Sequence, residues 1–378
     1  MKFSRFHKDL TTLKAHHWKY WFDLYVGCVH NCLYCLYRSD PSFGQSAKAN
    51  GILVSDVCEY LRAKNVNENG IIYLGATSDI YQPIEKNVQR TRRVLEYFCQ
   101  EDRPIVLATK SPLILRDLDL LQDLGSKGLV EVSLTAVALE QDFLNILELG
   151  APSMSERLKA AEIMVSKGVP VSYHVSPLIP GYHDKKAATT FVKKLRDTGA
   201  VGMYCCMLGL RPAYQDEVLQ ALYYFNQDLA CAIKRTYSGN AHNNALSPVK
   251  EVVYSEMMMW AEICEREKFG FFCEHIPALD SSTRSDGIFR YKLPTTGDLY
   301  RYFAGQQKTL LLKRDLLDHL QQFPAVDDKY LDLVCREWDN GRLFQDTYYH
   351  PCWETGEVTS YVLKETIDLH VAEVMVCD

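Results

Sequence analysis

Segments with the apolar pattern of buried strands alternate with amphipathic helical segments over the first 235 residues. The predicted strands are 22–26, 70–75, 104–109, 129–134, 169–175 and 199–207. Apolar positions three or four residues apart predict helices between them, at 51–63, 83–97, 113–124, 155–168 and 185–196. Gly168 follows the fourth of these helices, where a terminating glycine is common. The chain therefore repeats a strand–helix unit.

This order of elements predicts an α/β fold with a parallel sheet and right-handed crossovers. Six strand–helix repeats suit a partial (β/α)6 TIM-type barrel rather than a closed one. Ligands of such sheets bind at the carboxyl ends of the strands. We therefore expect the functional residues in the segments that directly follow the predicted strands.

Two regions flank this predicted core barrel, which spans residues 22–240. Residues 1–21 are rich in lysine, histidine and aromatic side chains, and we interpret them as a lead-in that packs on the barrel or contacts nucleic acid. Residues 241–378 form an α+β C-terminal extension. Its predicted elements are a helix from Ser247 and Pro248 to about Lys268, a strand at 270–273, a helix at 310–322 and a turn-rich stretch at 339–356.

The amino-acid composition indicates the cellular compartment in which the protein is expected. The 378 residues include no apolar run of roughly eighteen residues, so no membrane span is expected. The first residues lack the apolar core of a signal peptide. Thirteen cysteines without a secretion signal indicate reduced thiols rather than a disulfide framework. These features predict a cytoplasmic protein.

The net charge of −6 argues against a basic protein that coats duplex nucleic acid. A local basic groove remains compatible with that charge. Residues 283–292, followed by Arg301, interleave cations with aromatic side chains. Such a segment either grips phosphates and stacks bases or forms an ordinary solvated loop.

Three cysteines lie close together directly after the first predicted strand, in the spacing Cys-x3-Cys-x2-Cys: Cys28, Cys32 and Cys35. Three thiolates in one short loop can bind three irons of a 4Fe–4S cluster and leave the fourth iron without a protein ligand. A structural zinc site instead needs four ligands, and no second cysteine or histidine pair stands nearby. A zinc knuckle lacking one ligand and three unrelated cysteines are the alternatives.

Other polar residues follow the next predicted strands. Thr77, Ser78 and Asp79 follow the second strand, and their short side chains suit recognition of an amino acid's ammonium and carboxylate, or capping of the next helix. Lys110 ends the third strand, where it either neutralises a carboxylate or is an ordinary surface lysine. Ser133 ends the fourth strand and carries little information alone.

The cysteine loop resembles the signature of the radical S-adenosylmethionine (SAM) superfamily, which has an aromatic residue before the third cysteine, here Tyr34. The cysteine loop is followed along the chain by the segments 77–80, 108–110 and 132–133. This order of motifs is similar to that in spore photoproduct lyase and its DNA repair photolyase-like relatives. Segments 81–85, 113–117 and 177–181 are closer to the uncharacterised members of that group. The resemblance spans residues 22 to about 225.

The resemblance implies a set of site residues. Cys28, Cys32 and Cys35 would hold a 4Fe–4S cluster whose free iron binds SAM, and Tyr34 would lie near the adenine. The methionine part of SAM would contact three further side chains, with Thr77 as a weaker candidate: Ser78, Lys110 and Ser133. A protein reductant such as flavodoxin or ferredoxin would supply the electron.

Two departures from the lyase change the expected reaction. Ala76 stands where the lyase has a cysteine that returns a hydrogen atom to the product radical, and a methyl group cannot replace a thiol in that role. Leu36 stands where the lyase has a tyrosine, with Tyr37 one position later. Cys205 and Cys206 are candidate replacements for the hydrogen donor, since strand alternation would direct one of them into the barrel.

The sequence thus predicts a radical SAM enzyme that abstracts hydrogen from its substrate. A nucleic acid or nucleotide is the leading substrate class by analogy alone, and a small metabolite or a peptide stays open. The alternative is a non-catalytic iron–sulfur or zinc module that binds a partner. A second cluster would have to draw on irregularly spaced cysteines: Cys264, Cys273, Cys335, Cys352 and Cys377.

Overall fold

The computed structural model describes residues 20–39, 48–49, 57, 59, 61, 70–237, 245–273, 275–281 and 293–365. Most of the lead-in and of the predicted helix 51–63 lies outside these residues, as do the cationic and aromatic segment 283–292 and Cys377.

A parallel sheet forms the centre of the molecule. The strands of the described residues are β1 (Tyr20–Phe22), β2 (Tyr25–Val26), β3 (Lys48–Ala49), β4 (Ile72–Leu74), β5 (Ile105–Thr109), β6 (Val130–Thr135), β7 (Val171–Leu178), β8 (Gly202–Met207), β9 (Gly270–Cys273), β10 (Leu310–Leu312), β11 (Tyr349–Glu354) and β12 (Glu357–Leu363). Seven of them pair in the order β1-β4-β5-β6-β7-β8-β9, and every neighbouring pair is parallel. The partial barrel predicted from the sequence is confirmed.

Helices cover the outer face of this sheet, except the last three α-helices, which pack in a separate core. The α-helices are Glu85–Val88, Arg90–Gln100, Leu118–Ser126, Gln141–Leu147, Met154–Ser166, Lys185–Arg196, Gln215–Phe225, Gln227–Thr236, Lys250–Arg266, Thr296–Gly305, Lys313–Leu320 and Asp328–Asp339, and the 3-10 helices are Leu36–Ser39, Pro112–Asp117 and Pro277–Leu279. Along β7, successive side chains point alternately towards the helices and towards the inside of the barrel. Val171, Tyr173 and Val175 are buried under the helices, whereas Ser172 and His174 are partly exposed on the inner side of the barrel.

Several predicted elements differ from the structure. The first predicted strand, 22–26, is divided, because β1 ends at Phe22 and the carboxylate of Asp23 binds backbone amides beyond β4. The predicted helix 83–97 is split at Gln89, whose φ of +50° ends one helix before the next begins. The helix expected from Ser247 begins instead at Lys250.

The C-terminal region also differs from the sequence-based division at residue 240. Strand β9 joins the barrel sheet next to β8, and the preceding helix Lys250–Arg266 packs into the same core. A separate apolar core begins at Leu293 and includes the three-stranded sheet β10-β12-β11. The segment 310–322 starts as β10 before it becomes helical, and the turn-rich stretch 339–356 contains β11. The barrel therefore continues past the expected boundary.

Within the described residues, every helix is too short or too polar to cross a bilayer.

Candidate active site

A cavity of about 210 Å³ opens at the carboxyl ends of the barrel strands. Its wall includes the three cysteines of the loop and most of the other predicted site residues: Cys28, Cys32, Tyr34, Cys35, Thr77, Ser78, Lys110 and Cys206. The structure thus brings together residues that are up to 178 positions apart along the chain. These residues meet at the carboxyl ends of the parallel strands, which is where sheets of this kind bind their ligands.

The cysteine loop is anchored to the segment after the helix Gln141–Leu147. Leu33 donates a backbone hydrogen bond to the carbonyl oxygen of Leu147 at 2.8 Å, and Gly150 donates one to the carbonyl oxygen of His30 at 2.8 Å. A side-chain carbon at Gly150 would lie 2.4 Å from the carbonyl oxygen of Val29. Glycine is therefore required at position 150, because the two backbones approach too closely for a larger residue.

The Gly150→Ala variant is expected to lose roughly 1–3 kcal/mol of unfolding free energy, because either the loop or its anchor must move away. Denaturant unfolding of the purified protein measures the loss. Gly305→Ala is the matched control, since no atom lies within 4 Å of the added carbon and the residue ends a helix. We expect the control to be neutral or slightly stabilising. Equal stability of Gly150→Ala and the wild type would show that the loop is not held this way.

The segment 81–85 holds the same loop from the other side. The side chain of Gln82 is fully buried, accepts a hydrogen bond from the amide of Val29 at 3.1 Å and donates one to the carbonyl oxygen of Gly27 at 3.1 Å. Glu85 is also fully buried and accepts a hydrogen bond from the hydroxyl of Tyr25. Both polar side chains of this segment therefore fix the backbone that carries Cys28.

A buried ion pair positions Tyr34. The Tyr34 hydroxyl donates to one carboxylate oxygen of Glu148, and the Arg157 guanidinium donates to the other. Arg157 also donates to the carbonyl oxygen of Thr135 at 3.1 Å, so the network reaches the end of β6. Burial raises the pKa of the Glu148 carboxyl, but the positive charges of Arg157 and Lys110 outweigh burial and hold that pKa below its ordinary value. Glu148 is therefore a carboxylate that orients the Tyr34 ring at the cavity wall.

Lys110 extends from the end of β5 into this network. Its Nζ lies 3.4 Å from the hydroxyl oxygen of Thr135 and 5.8 Å from the centre of the Tyr34 ring. Burial lowers the pKa of the ammonium group, but electrostatic interactions with the Cys32 side chain and the Glu148 carboxylate raise it by more, so the net direction is upward. Lys110 is therefore a partly buried cation that lines the cavity, and the alternative of an ordinary surface lysine does not describe its position.

Asp79 joins the cysteine loop to β5. Its carboxylate accepts hydrogen bonds from the Thr109 hydroxyl at 2.7 Å and from the Lys110 amide at 2.7 Å. The Nδ1 atom of His30 lies 3.4 Å from the same carboxylate. Asp79 and His30 both line the cavity, so this contact fixes the loop relative to the strand ends.

Thr77 and Ser78 lie at the cavity but also hold β1 and β2. The carboxylate of Asp23 accepts hydrogen bonds from the Thr77 amide at 3.0 Å, the Thr77 hydroxyl at 2.5 Å and the Ser78 amide at 3.2 Å. The Ser78 hydroxyl donates to the carbonyl oxygen of Tyr25 at 3.0 Å. The alternative of a helix cap does not describe these residues, because the cap position of the following helix is Ile84.

Two predicted site residues lie away from the cavity wall. Ser133 is on the inner side of β6, but β6 continues to Thr135, and Thr135 forms the wall there. Cys205 is fully buried on the outer side of β8 beside Cys264 and Cys273. Cys206, its neighbour, lines the cavity, as strand alternation predicts for one member of the pair.

The donor set of the loop is compatible with an iron–sulfur cluster. Burial raises the pKa of all three thiols, that of Cys35 to about 11, so the metal-free thiols are protonated at neutral pH and metal binding must displace their protons. Within the described part of the chain, no three histidine, cysteine or acidic side chains converge on a position for a single metal ion. A 4Fe–4S cube does not require such convergence, because each thiolate binds a different iron.

Residues 23–191 match the radical SAM superfamily. An uncharacterized protein of Methanocaldococcus jannaschii is 32% identical over 167 residues, which are 44% of this chain and 62% of that protein. An uncharacterized protein of Mycobacterium tuberculosis is 22% identical over 196 residues, 50% of this chain and 58% of that protein. The chain thus covers less than two thirds of the length of either relative.

Solved structures of spore photoproduct lyase share the fold. One mutant of that lyase superposes with a TM-score of 0.56 at 16% identity, covering 70% of this chain and 80% of the lyase. Another, with bound AdoMet and dinucleoside spore photoproduct, gives a TM-score of 0.54 at 16% identity, covering 70% and 79%. Residues 23–191 therefore match the radical SAM superfamily, and the chain folds as a partial barrel similar to that of spore photoproduct lyase.

Proposed function

We propose that this protein is a radical SAM enzyme in which Cys28, Cys32 and Cys35 hold a 4Fe–4S cluster at the barrel mouth. The observation that carries the proposal is that all three thiols line one cavity. When bound and reduced, the cluster and SAM supply a 5'-deoxyadenosyl radical that abstracts hydrogen from a substrate. The protein orients the reactants and excludes water from them.

Residues on the β4–β6 side of the cavity suit the cofactor. The partly buried ammonium of Lys110 would neutralise the carboxylate of SAM, and the ring of Tyr34, fixed by Glu148, would lie beside the adenine. The Ser78 hydroxyl is available to accept a hydrogen bond from the ammonium of SAM, because it already donates its own proton to Tyr25. The resemblance implies a SAM contact for Ser133, and Thr135, two residues further along β6, lines the cavity.

Residues on the β7–β9 side suit the substrate. His174 lines the cavity, and its ring packs beside Tyr204, which in turn packs beside Phe272 on the next strand, with centroids 4.9 Å and 5.3 Å apart. Their register pairs His174 with Tyr204 and Tyr204 with Phe272. The His174 ring at the cavity wall, supported by this ladder of rings, favours a substrate with a flat ring, which supports a nucleotide or nucleic acid. A small metabolite or a peptide is the alternative substrate class.

Cys206 is the proposed hydrogen donor among the candidate cysteines. Its side chain lines the cavity, whereas Ala76 supplies only a methyl group at the mouth. Donation of the Sγ hydrogen atom to a substrate radical leaves a sulfur radical, which one electron and one proton return to the thiol. A flavodoxin or ferredoxin is the proposed source of electrons.

Anaerobic reconstitution with iron and sulfide, followed by dithionite and SAM, tests the function. We expect a protein that binds about four irons and forms 5'-deoxyadenosine, detected by chromatography. Reconstituted protein that prefers zinc and never cleaves SAM would instead be the non-catalytic module. Retention on DNA or RNA that falls with increasing salt tests the substrate class separately.

A further inference from the structure

Arg211 stands on the cavity wall in the segment that follows β8. Its Nη1 atom donates a hydrogen bond to the carbonyl oxygen of Leu36 at 3.2 Å, which places the guanidinium one residue beyond the third cysteine of the loop. Its Nε atom is buried without a hydrogen-bond partner. A guanidinium carries five donors in one plane and stays charged, so Arg211 has donor capacity that the protein leaves unused.

Several other arginines of the described residues are paired with carboxylates. The arginines with a carboxylate partner include Arg38, Arg92, Arg116, Arg157 and Arg301. For Arg211, no carboxylate among the described residues lies within ion-pair distance. A cation partly removed from water without a counter-charge is costly, and an anion bound in the cavity would offset that cost.

The position of Arg211 separates it from the proposed cofactor contacts. Lys110 follows β5 and Arg211 follows β8, with β6 and β7 between them in the sheet. Lys110 already interacts with Thr135 and lies over the Tyr34 ring, whereas Arg211 is next to the strand that carries Cys206. The two cations therefore serve opposite sides of one cavity.

We propose that Arg211 binds an anionic oxygen group of the substrate, a phosphate or a carboxylate, on the β8 side of the cavity. The proposal rests on the proposed function, because it gives the β4–β6 side to SAM. A planar guanidinium binds either group through two parallel hydrogen bonds, so the geometry of Arg211 fits both. Binding there fixes the remainder of the substrate beside Cys206 and the ring ladder.

Calorimetric titration of the reconstituted, SAM-loaded protein with inorganic phosphate, and separately with acetate, tests the site at constant ionic strength. We expect saturable binding that Arg211→Gln weakens at least about tenfold, because charge-assisted hydrogen bonds are lost. Arg211→Lys retains the charge but not the paired donors, so an intermediate affinity is expected. The anion whose binding depends more on Arg211 identifies the group as phosphate or carboxylate.

Arg196→Gln is the matched control, because Arg196 pairs with Asp197 and Glu267 on the outer surface. It should bind both anions like the wild type. Equal anion affinity in the wild type and Arg211→Gln would overturn the proposal. A weaker SAM affinity of Arg211→Gln without added anion would also overturn it, by assigning Arg211 to the cofactor. If the wild type binds no SAM, the proposed function fails, and phosphate titration of the SAM-free protein still decides the role of Arg211.

Discussion

Replacement of Cys32 with alanine is expected to remove the iron–sulfur cluster and to lower 5'-deoxyadenosine formation below detection. The Cys32 thiol lies at the centre of the loop, and its residue is 5% exposed and bridged to Glu148 through the backbone. Among the described cysteines outside the loop, only Cys206 lines the cavity. Because each thiolate binds its own iron, the two remaining thiols would leave two irons without a protein ligand.

Iron and sulfide content after reconstitution, together with the electron paramagnetic resonance of the reduced protein, measures this loss. Cys231→Ala is the matched control, since Cys231 is exposed on the helix Gln227–Thr236 and does not line the cavity. The control should keep both its iron and its SAM cleavage. A Cys32→Ala protein with undiminished iron and cleavage would show that the loop does not hold the cluster.

Local patterns were sufficient to predict the barrel. The helix Lys185–Arg196 has the bounds that its apolar spacing predicts, because Asp184 caps its start and the spacing places Phe191, Val192 and Leu195 against the sheet. Strand ends were predicted less well. The last inward residue of β6 is Thr135 and not Ser133, because Leu134 and Thr135 continue the extended pairing with β7 beyond the polar residue that suggested an end.

Long-range contacts were not predictable from the sequence. Glu148 and Arg157 follow the helix Gln141–Leu147 without any local pattern that connects them with Tyr34, more than a hundred residues earlier. The segment 81–85 was recognised by its resemblance to other proteins, but its role in holding Gly27 and Tyr25 depends on tertiary packing. Arg211 was missed because a single arginine after a strand carries no distinctive pattern.

The seventh strand of the barrel sheet could not be assigned to that sheet by counting strand–helix repeats. Strand β9 was predicted as a strand, but two helices, Gln215–Phe225 and Gln227–Thr236, and then Lys250–Arg266 separate it from β8. This long connection interrupts the regular strand–helix period, so the repeat pattern does not place β9 in the same sheet. Its Phe272 extends the ladder of the His174 and Tyr204 rings to a third strand.

Cys206→Ala is expected to separate SAM cleavage from product formation. If Cys206 donates hydrogen to the substrate radical, its loss should leave 5'-deoxyadenosine formation close to wild type and lower product per 5'-deoxyadenosine roughly tenfold or more. Dinucleotides serve as probe substrates, because a nucleic acid is the proposed substrate class. In deuterated water the exchangeable thiol carries deuterium, so the wild-type product should contain deuterium and the product of the variant should not.

Cys205→Ala provides a matched control on the same strand. Cys205 faces Cys264 and Cys273 in the outer layer, so its replacement creates a small cavity in the core and should lower stability by about 1 kcal/mol without changing product per 5'-deoxyadenosine. An equal fall in both variants would attribute the effect to packing of β8. Deuterium in the product of Cys206→Ala at the wild-type level would assign hydrogen return to another group, because no exchangeable hydrogen is then left on the side chain at position 206.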